Sequence, residues 1–422
     1  MTAVDRAVIH KAPGVSRVLF LCDGEVVEIW VEGDDRPSLI GGIALATART
    51  AGGAPVADLP AGSGYIRDGR ANDGERLLVE VIRDSAGGKR SVLRRRVELA
   101  GDGVLLTPFQ PELGIASTIR AKGRRMAIRT AVQPVLPVDV GAMVLAAARD
   151  RTPAEIADEA SRLVQLWRQI VAQSETGTPP CWLLPPPALD VRVRAHAPSA
   201  EIVTDRDGLH FREAGGDEAL DRALARDVFV AEGVALVVEE GETATLIDVN
   251  LARSPRGDAL VRANADAAAV AAAVARLRGL RGTLLIDLPR MRGAGDREQV
   301  KQALEAAVSH DPASWRILGW TPGGMLECLR ESPRRPLSAE MLTPIGGRPL
   351  SARARAWAAM DCLRREVGGI ARPRLRVPAD VADWLDGPGA TILKTERQRL
   401  GALAVVADPA LGADDAVIES DA

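Results

Sequence analysis

Between residues 228 and 290 the chain alternates apolar runs of strand length with a long alanine-rich run of helix length, and this alternation constrains the fold most. The predicted elements, continued to residue 320, are strands Ala235–Glu239 and Ala244–Val249, a helix from about Ala263 to Leu277, strand Thr283–Leu288, helix Asp296–Ser309 and strand Ile317–Trp320. Strands that alternate with helices in this way predict a sheet with helices packed against it.

Two of these strands end on an aspartate. In LIDVNLAR an apolar strand reaches Asp248, and Asn250 points to the same side two residues later. The apolar run LLID ends on Asp287. Active sites of such sheets lie at the C-terminal ends of the strands, and carboxylate ligands suit Mg²⁺, which can activate water for attack on a phosphate ester. Asn250 would orient a carboxylate or a water. The alternative is that both aspartates only cap loops.

Upstream, the sequence predicts a β-rich region. Two apolar runs between Ser16 and Glu32 flank the dipeptide Asp23-Gly24, which is a hairpin signal. Because Gly, Pro and Asp turns separate the following apolar runs at short intervals, these runs predict a small β-barrel. They are Ile43–Thr47, Tyr65–Arg67 and Leu77–Ile82.

Between the predicted barrel and residue 228, one helix start is well marked. Thr152 can cap the helix, Pro153 suits its first position and Glu155 adds a carboxylate in the first turn. This helix is predicted to continue to about Ala172. The strands predicted around it are Met126–Ala131 (MAIRTA), Cys181–Leu184, Val191–Arg194 and Glu201–Val203.

The C-terminal part begins with a stretch that has no periodicity. Residues Arg330 to Pro349 are rich in Pro, Gly and Arg, which predicts a linker. The acidic end, Gly412–Ala422, is predicted to be frayed. The elements predicted between them are helices Ala352–Val367 and Ala379–Leu385 and strands Arg374–Val377, Ala390–Leu393 and Ala402–Val406.

Composition narrows the class of protein. With 422 residues, 46% of them apolar and 26% charged, the chain is typical of a soluble globular protein of two to four domains. No apolar run reaches the roughly 18 to 20 residues of a membrane span, and the residues from Met1 to Lys11 do not resemble a signal peptide. The cysteines form no CxxC pair, so we expect buried free thiols in a reducing cytoplasm. They are Cys22, Cys181, Cys328 and Cys362.

The charge is concentrated locally. A formal net charge of −3 argues against a protein whose whole surface binds nucleic acid. Nucleic-acid contacts would therefore come from basic clusters, although such clusters are also typical of a solvated surface. The two clusters are Arg90, Arg94, Arg95 and Arg96, and Arg120, Lys122, Arg124 and Arg125.

The segment TATLIDVNLARSPRG, residues 243–257, resembles the signature strand of the ribonuclease E/G family, Ile-Asp-(Ile/Val)-Asn-x-Ala-Arg followed by an Arg-Gly turn. Residues 263–268 (ANADAA) are similar to the family's helix start Thr-Asn-x-Glu-Ala-Ala. Residues 286–291 (IDLPRM) are similar to its strand end Ile-Asp-Phe-Ile-Asp-Met, with Arg290 where the family usually has a second aspartate.

This resemblance assigns roles at the predicted site. It implies that Asp248 and Asp287 hold Mg²⁺, with Mn²⁺ as a possible substitute, and that Asn250 supports them. Arg253 and Arg256 are further candidates in the turn that follows the signature strand.

The resemblance also covers residues 77–90, 98–119 and 393–411, and it implies an α+β multidomain fold. The implied domains are a split RNase H-like domain (1–36 with 179–228), an inserted S1-type (OB) β-barrel (37–103), a 5′-sensor region (104–178), a DNase I-like α/β catalytic domain (229–332), a linker (333–349) and a small C-terminal α/β domain (350–422).

Two RNA contacts are implied outside the catalytic domain. Tyr65 matches an aromatic residue of the family's barrel and would stack on a base, whereas Pro55 replaces a second aromatic residue. Lys89 and Arg90 are further candidates on the barrel. Arg129-Thr130 matches the family's Arg-Thr pair, which forms a pocket for the RNA 5′-monophosphate.

One family feature is missing. The family joins its large and small domains through a Cys-x-x-Cys zinc link, but the matching stretch Ala339–Gly347 contains no cysteine. No zinc is therefore expected. We expect a compact member without the long disordered scaffold of larger relatives, as a homodimer that binds neither membrane nor DNA.

The favoured hypothesis is an endoribonuclease that cuts single-stranded RNA, an rRNA precursor or mRNA, and leaves a 5′-phosphate and a 3′-hydroxyl. A non-catalytic RNA-binding protein that kept the fold is the alternative, because Pro55 and Arg290 depart from the family pattern. A metal phosphatase or DNase would leave the predicted barrel and the Arg-Thr pair without a role.

Overall fold

The structure, a computed structural model, describes residues 4–231, 233–253, 255–291, 293–343 and 349–420. The chain is a mixed α/β protein that divides into two compact units, Ser38–Ala195 and Met1–Pro37 with His196–Ala422. Within the described ranges, no helix combines the length and the apolar character that a membrane crossing requires.

The strands are numbered in chain order. The first twelve are β1 (Arg6–Ala12), β2 (Val15–Cys22), β3 (Glu25–Gly33), β4 (Ile43–Ala51), β5 (Ala54–Leu59), β6 (Gly62–Ile66), β7 (Arg76–Arg83), β8 (Ser91–Arg94), β9 (Leu99–Ala100), β10 (Val104–Thr107), β11 (Leu113–Ile115) and β12 (Gly141–Val144). The others are β13 (Cys181–Leu184), β14 (Glu201–Asp205), β15 (Asp227–Ala231), β16 (Val234–Glu240), β17 (Ala244–Leu251), β18 (Gly282–Asp287), β19 (Ser314–Trp320), β20 (Leu326–Glu331), β21 (Pro373–Val377), β22 (Ala404–Ala407) and β23 (Val417–Ser420).

The α-helices are numbered in the same way. They are α1 (Lys122–Val132), α2 (Pro153–Thr176), α3 (Leu189–His196), α4 (Leu209–Glu213), α5 (Gly216–Leu224), α6 (Asp258–Leu277), α7 (Ala294–Val308), α8 (Leu337–Met341), α9 (Ala352–Glu366), α10 (Ala379–Asp386) and α11 (Ala390–Leu400). Short 3-10 turns lie at Gln133–Val135 and Ala146–Ala148.

The predicted barrel is confirmed in the unit of residues 38–195. Five strands close in the order β4-β5-β6-β8-β7, and β7 returns to pair with β4. At Gly64, a Cβ would lie 2.4 Å from Cγ of Leu93, so the tightly packed interior requires glycine there. The predicted strand Cys181–Leu184 is also confirmed. It pairs with β4 of this barrel, although the predicted boundaries placed it with the N-terminal domain.

The predicted strand Met126–Ala131 is wrong, because these residues lie within helix α1. The buried residues of this helix, Ile128 and Val132, are four apart, which is helical spacing. Arg125 anchors the helix by donating to the backbone carbonyls of Ile115, Ala116 and Ile119 at 3.0–3.2 Å. The following helix, α2, was predicted correctly at its start, where Thr152 and Glu155 form a capping box.

Three further predictions fail for related reasons. Residues 191–194 (VRVR) alternate like a strand, yet they lie in α3 with Val193 as its buried residue. Residues 390–393 begin α11, whose buried Leu393 and Glu396 are three apart. The C-terminal residues predicted to be frayed include β23, which pairs antiparallel to β21. In the last case, pairing with a distant strand outweighs the local pattern.

The predicted N-terminal hairpin is confirmed by strands β2 and β3. Asp23 and Gly24 both have positive φ, 51° and 81°, as a two-residue hairpin turn requires. With β1 and β14 these strands form a four-stranded sheet in the order β14-β1-β2-β3.

The sheet predicted from the strand–helix alternation is also confirmed. It has six strands in the order β15-β16-β17-β18-β20-β19, and β17 and β18 run parallel. Alternate residues of these strands pack against α6 and α7 in one core. Asp248 and Asp287 lie on the other face of the sheet.

The segment predicted as a linker is ordered in its first half. It contains α8, whose residues Leu337 and Met341 are buried in a core shared with Trp357. A linker pattern was predicted because five residues are too few for helical periodicity to show in the sequence. Residues 344–348, which include the end of the stretch matching the zinc link, lie outside the described residues.

Glu28, on β3, gives this part of the fold a pH dependence. It is buried and accepts hydrogen bonds from His196 at 2.9 Å and Trp30 at 2.7 Å, with Arg276 at 3.4 Å. Burial opposes ionisation, but the bonds to His196 and Trp30 and the nearby Arg276 prevail and lower the pKa of Glu28 from 4.5 to about 2. The carboxylate therefore stabilises the fold above pH 4.5, and this contribution is lost as the pH falls from 4.5 towards 2.

We expect Glu28→Gln to lower the free energy of unfolding at pH 7 by roughly 3 kcal/mol, the equivalent of the pKa shift. The difference from the unsubstituted protein should shrink between pH 4.5 and pH 3, because protonated Glu28 resembles glutamine. Denaturant unfolding at a series of pH values measures it. A difference that stays constant across this range would contradict the assignment to Glu28.

Candidate active site

The two aspartates of the predicted site lie side by side, although β17 continues beyond Asp248 to Leu251. Asp248 of β17 is the register partner of Asp287 of β18, and the two strands are parallel. Neighbouring strands are about 4.8 Å apart, and paired residues face the same side of a sheet. Ile247, Val249 and Ile286 point into the core, so both carboxylates point to the opposite, accessible face.

Asn250 supports one of the carboxylates. Its Nδ2 donates to Oδ2 of Asp248 at 3.1 Å. The two residues are two positions apart on β17 and therefore share a face, as the sequence predicted. This bond restrains the orientation of Asp248 through its Oδ2.

Two buried side chains and one hydrogen bond hold the loop after β18. Leu288 and Met291 are buried, and the fully buried Asn264 of α6 donates from Nδ2 to the carbonyl oxygen of Pro289 at 2.8 Å. These three anchors hold the backbone next to Asp287 and leave Arg290 exposed. Asn264 was not predicted as a site residue. A single amide in an alanine-rich helix was the signal available for it.

Replacing Asn264 with alanine tests this anchor. We expect Asn264→Ala to lower the free energy of unfolding by about 1–2 kcal/mol, because the carbonyl of Pro289 loses its partner. The control is Gln302→Ala, which removes an exposed hydrogen bond from the Gln302 amide to Glu298 on α7 and should cost below about 0.5 kcal/mol. Equal stability of the two variants would show that the anchor is dispensable.

A cleft of about 460 Å³ opens beside the aspartates. Its charged and aromatic lining residues are Asp248, Asp287, Arg290, Arg297 and Trp320, and the turn at Gly323 and Gly324 closes one side. The guanidinium carbon of Arg297 lies 5.6 Å from the centre of the Trp320 ring, a cation–π distance. Arg297 and Trp320 come from α7 and β19, so no local motif revealed that they meet.

The donor atoms fit a hard divalent cation. Within the described part of the chain, no group of three or more His, Cys, Asp or Glu side chains is arranged to hold a metal ion. Mg²⁺ is commonly bound through one or two carboxylates, with waters and substrate phosphates completing its shell. The paired Asp248 and Asp287 offer that donor set, whereas zinc prefers nitrogen and sulfur ligands in larger number.

Arg253 and Arg256 follow the signature strand but lie apart from this lining. Both are exposed in the connection between β17 and α6. Neither belongs to the described lining of the cleft, so their part in catalysis stays a prediction.

In the barrel, Tyr65 is accessible. Its side chain is 39% exposed on β6, and its register partners are Val56 of β5 and Val92 of β8. Pro55 precedes Val56 on β5, and its register partner is Thr50 of β4. Lys89 and Arg90 are exposed between β7 and β8.

Arg129 and Thr130 are exposed, but on helix α1 and not on the predicted strand. Successive residues of a helix point about 100° apart, so the two side chains diverge. The same helix uses Arg124 and Arg125 for structure, because both donate to backbone carbonyls. This second basic cluster is thus only partly available to a ligand.

The first basic cluster is similarly divided. Arg94 forms ion pairs with Glu80 and Glu98, each at 2.7 Å, and Arg95 pairs with Glu75 at 2.8 Å. Arg90 and Arg96 are exposed. Two of the four arginines of this cluster therefore form ion pairs within the fold, which their clustering in the sequence did not indicate.

All four cysteines are free thiols, as predicted. Cys22 and Cys328 are buried, and Cys181 and Cys362 are partly buried. Burial raises the pKa of Cys328 to about 12, so this thiol stays protonated at neutral pH.

Comparison with known proteins matches the part of the chain that carries the site. The model of the Ribonuclease E/G family matches residues 98–202 and 193–332. Ribonuclease G of Escherichia coli (strain K12) is 23% identical over 295 residues, which are 62% of this chain and 60% of the relative. Ribonuclease E of Haemophilus influenzae is 26% identical over 310 residues, 63% of this chain and 33% of the relative. The chain thus spans about 60% of the length of the ribonuclease G relative and a third of that of the ribonuclease E relative.

Proposed function

Since the chain belongs to the ribonuclease E/G family, we propose that it is an Mg²⁺-dependent endoribonuclease that cuts single-stranded RNA at the cleft beside Asp248 and Asp287. One observation carries the proposal. The two aspartates form the last register pair of the parallel strands β17 and β18, on the accessible face of the sheet, within the segment that the family model matches.

The roles of the side chains follow from their positions. Asp248 and Asp287 would hold Mg²⁺, and Asn250 would keep Asp248 turned towards it. When bound, Mg²⁺ polarises a phosphoryl oxygen and makes water a better nucleophile. The anchored loop at Pro289 keeps Asp287 in place while the phosphodiester is attacked. Cleavage would leave a 5′-phosphate and a 3′-hydroxyl.

The other domains would bind the RNA. We assign the closed barrel to the S1 type, with Tyr65 stacking on a base and Lys89 and Arg90 near the phosphates. Arg129 and Thr130 would recognise a 5′-monophosphate from helix α1.

The six-stranded sheet with α6 and α7 would be the DNase I-like domain, and the four-stranded sheet with α4 and α5 the RNase H-like domain.

A second candidate is an RNA-binding protein without catalysis. Pro55 favours it, because the barrel has one exposed aromatic residue where the family pattern has two, and Arg290 adds positive charge near the metal ligands.

Precursor rRNA and mRNA are the proposed substrates of the enzyme, which would act in the cytoplasm as a homodimer.

The test is cleavage of a 5′-monophosphorylated, A/U-rich single-stranded oligoribonucleotide. We expect cleavage with Mg²⁺ or Mn²⁺ and none with EDTA, and slower cleavage when the 5′ end carries a hydroxyl. RNA binding without cleavage at any Mg²⁺ concentration would support the second candidate. Cleavage that persists in EDTA would refute the metal mechanism.

A further inference from the structure

The cleft that contains the aspartates also has basic lining residues. Arg290 and Arg297 line the same cleft as Asp248 and Asp287, so two positive charges balance two negative ones. A site that held only a cation would gain nothing from two guanidinium groups, because they repel it. A cleft with both kinds of charge suits a cation together with an anion that accepts several hydrogen bonds, such as a phosphodiester.

These two arginines differ from those that form ion pairs within the fold. Arg330, for example, is tied to Asp311 by two bonds of 2.8 and 3.0 Å, and Arg353 pairs with Asp35 at 2.7 Å. Within the described ranges, neither Arg290 nor Arg297 forms an ion pair with a carboxylate. Arg297 makes one long bond of 3.4 Å, to the carbonyl of Met291, which leaves most of its donors available.

Arg297 is also held in place. Its guanidinium lies over the ring of Trp320, which restricts the side chain without using its N–H groups. Next to Trp320, the turn from Thr321 to Met325 has no side chains at Gly323 and Gly324. At Gly324 an added Cβ would meet no atom within 4 Å, so there is room for a ligand beside the ring.

We propose that Arg297, positioned by Trp320, and Arg290 bind a phosphate of the RNA strand adjacent to the scissile one. This inference rests on the proposed function, because it assigns part of the substrate to the same cleft. Arg290 is presented by the loop that Asn264 anchors, and Arg297 comes from α7, so the two donors reach the cleft from separate, fixed elements. Guanidinium groups suit this task because their planar fork matches phosphate oxygens.

The test measures binding of a fluorescent single-stranded oligoribonucleotide to Asp248→Asn protein, which should not cleave it. We expect Arg297→Met in this background to weaken binding about tenfold, the effect of one bond to a charged group. The slope of log K against log salt should fall by about 0.7, the value for one phosphate contact with a single strand. Arg290→Met should act in the same direction.

Four further variants separate this role from a structural one. Arg316→Met removes an exposed arginine of β19 that lies outside the cleft lining and should leave both affinity and slope unchanged. Arg297→Lys should keep the salt slope but lose part of the affinity. The Trp320→Phe variant should bind RNA with the affinity of the protein that keeps Trp320. The Trp320→Ala variant should lose affinity as Arg297→Met does.

The outcomes of the two proposals are distinguishable. Failure of the unsubstituted protein to cleave RNA in Mg²⁺ would overturn the proposed function. Normal cleavage combined with equal affinity and salt slope for Arg297→Met and Arg316→Met would overturn the phosphate site alone. If Arg297→Met does not fold, Arg297→Lys and Arg290→Met decide: unchanged affinity in both would overturn the site.

Discussion

Asp248→Asn and Asp287→Asn are each expected to lower kcat for RNA cleavage by a factor on the order of 10³ or more. Each change replaces a charged ligand by a neutral amide, and a bound metal ion contributes several kcal/mol of transition-state stabilisation. Because the two residues are register partners, they should act on one ion, and the double variant should lose little more than either single variant.

The measurement is single-turnover cleavage across a range of Mg²⁺ concentrations. RNA affinity should not fall in either variant, because removing a negative charge from the cleft favours an anionic ligand. The control is Asp383→Asn, which makes the same charge change at an exposed position of α10 and should leave kcat within about twofold. Losses that multiply in the double variant would indicate that the aspartates act independently.

Much of this site could be predicted from the sequence because its main parts are local. An apolar strand that ends on aspartate is a short pattern, and Asn250 lies on the same strand as Asp248, so their shared face followed from the period of two. The pairing of Asp248 with Asp287 depends on the register of two strands separated by helix α6. It was implied by the family resemblance and not by either strand alone.

The residues that the sequence did not reveal are those whose role depends on packing. Asn264 acts on Pro289 through a bond between a helix and a loop, and Arg297 meets Trp320 across two elements. The same limit explains the wrong strand at residues 126–131. Its helical state is stabilised by the bonds of Arg125 to carbonyls of residues 115–119, which no window of six residues contains.

Another such interaction joins the small C-terminal part to the N-terminal hairpin. Glu340 of α8 is buried and accepts from Nη1 of Arg335 at 3.0 Å and from Nη1 of Arg353 at 2.7 Å. Arg353 lies 4.4 Å from the centre of the Trp357 ring and also bonds to Asp35, just after β3. Glu340, which lies in the stretch where the family resemblance places a zinc link, thus belongs to a cluster of charged side chains that joins α8, α9 and the residues after the hairpin.

Glu340→Ala is therefore expected to destabilise this part of the protein by about 3–5 kcal/mol, because it leaves two largely buried guanidinium groups without their shared carboxylate. Glu340→Gln should cost less, since it keeps the volume and one acceptor. Hydrogen exchange is the suitable measurement, because a chain of two units need not unfold in one step. Amides of α8 and α9 should lose protection while those of the barrel keep theirs.

The control, Glu298→Ala, removes an exposed ion pair on α7 and should cost below about 0.5 kcal/mol. If Glu340→Ala behaves like this control, apolar packing around Trp357 holds the helices without the charge cluster.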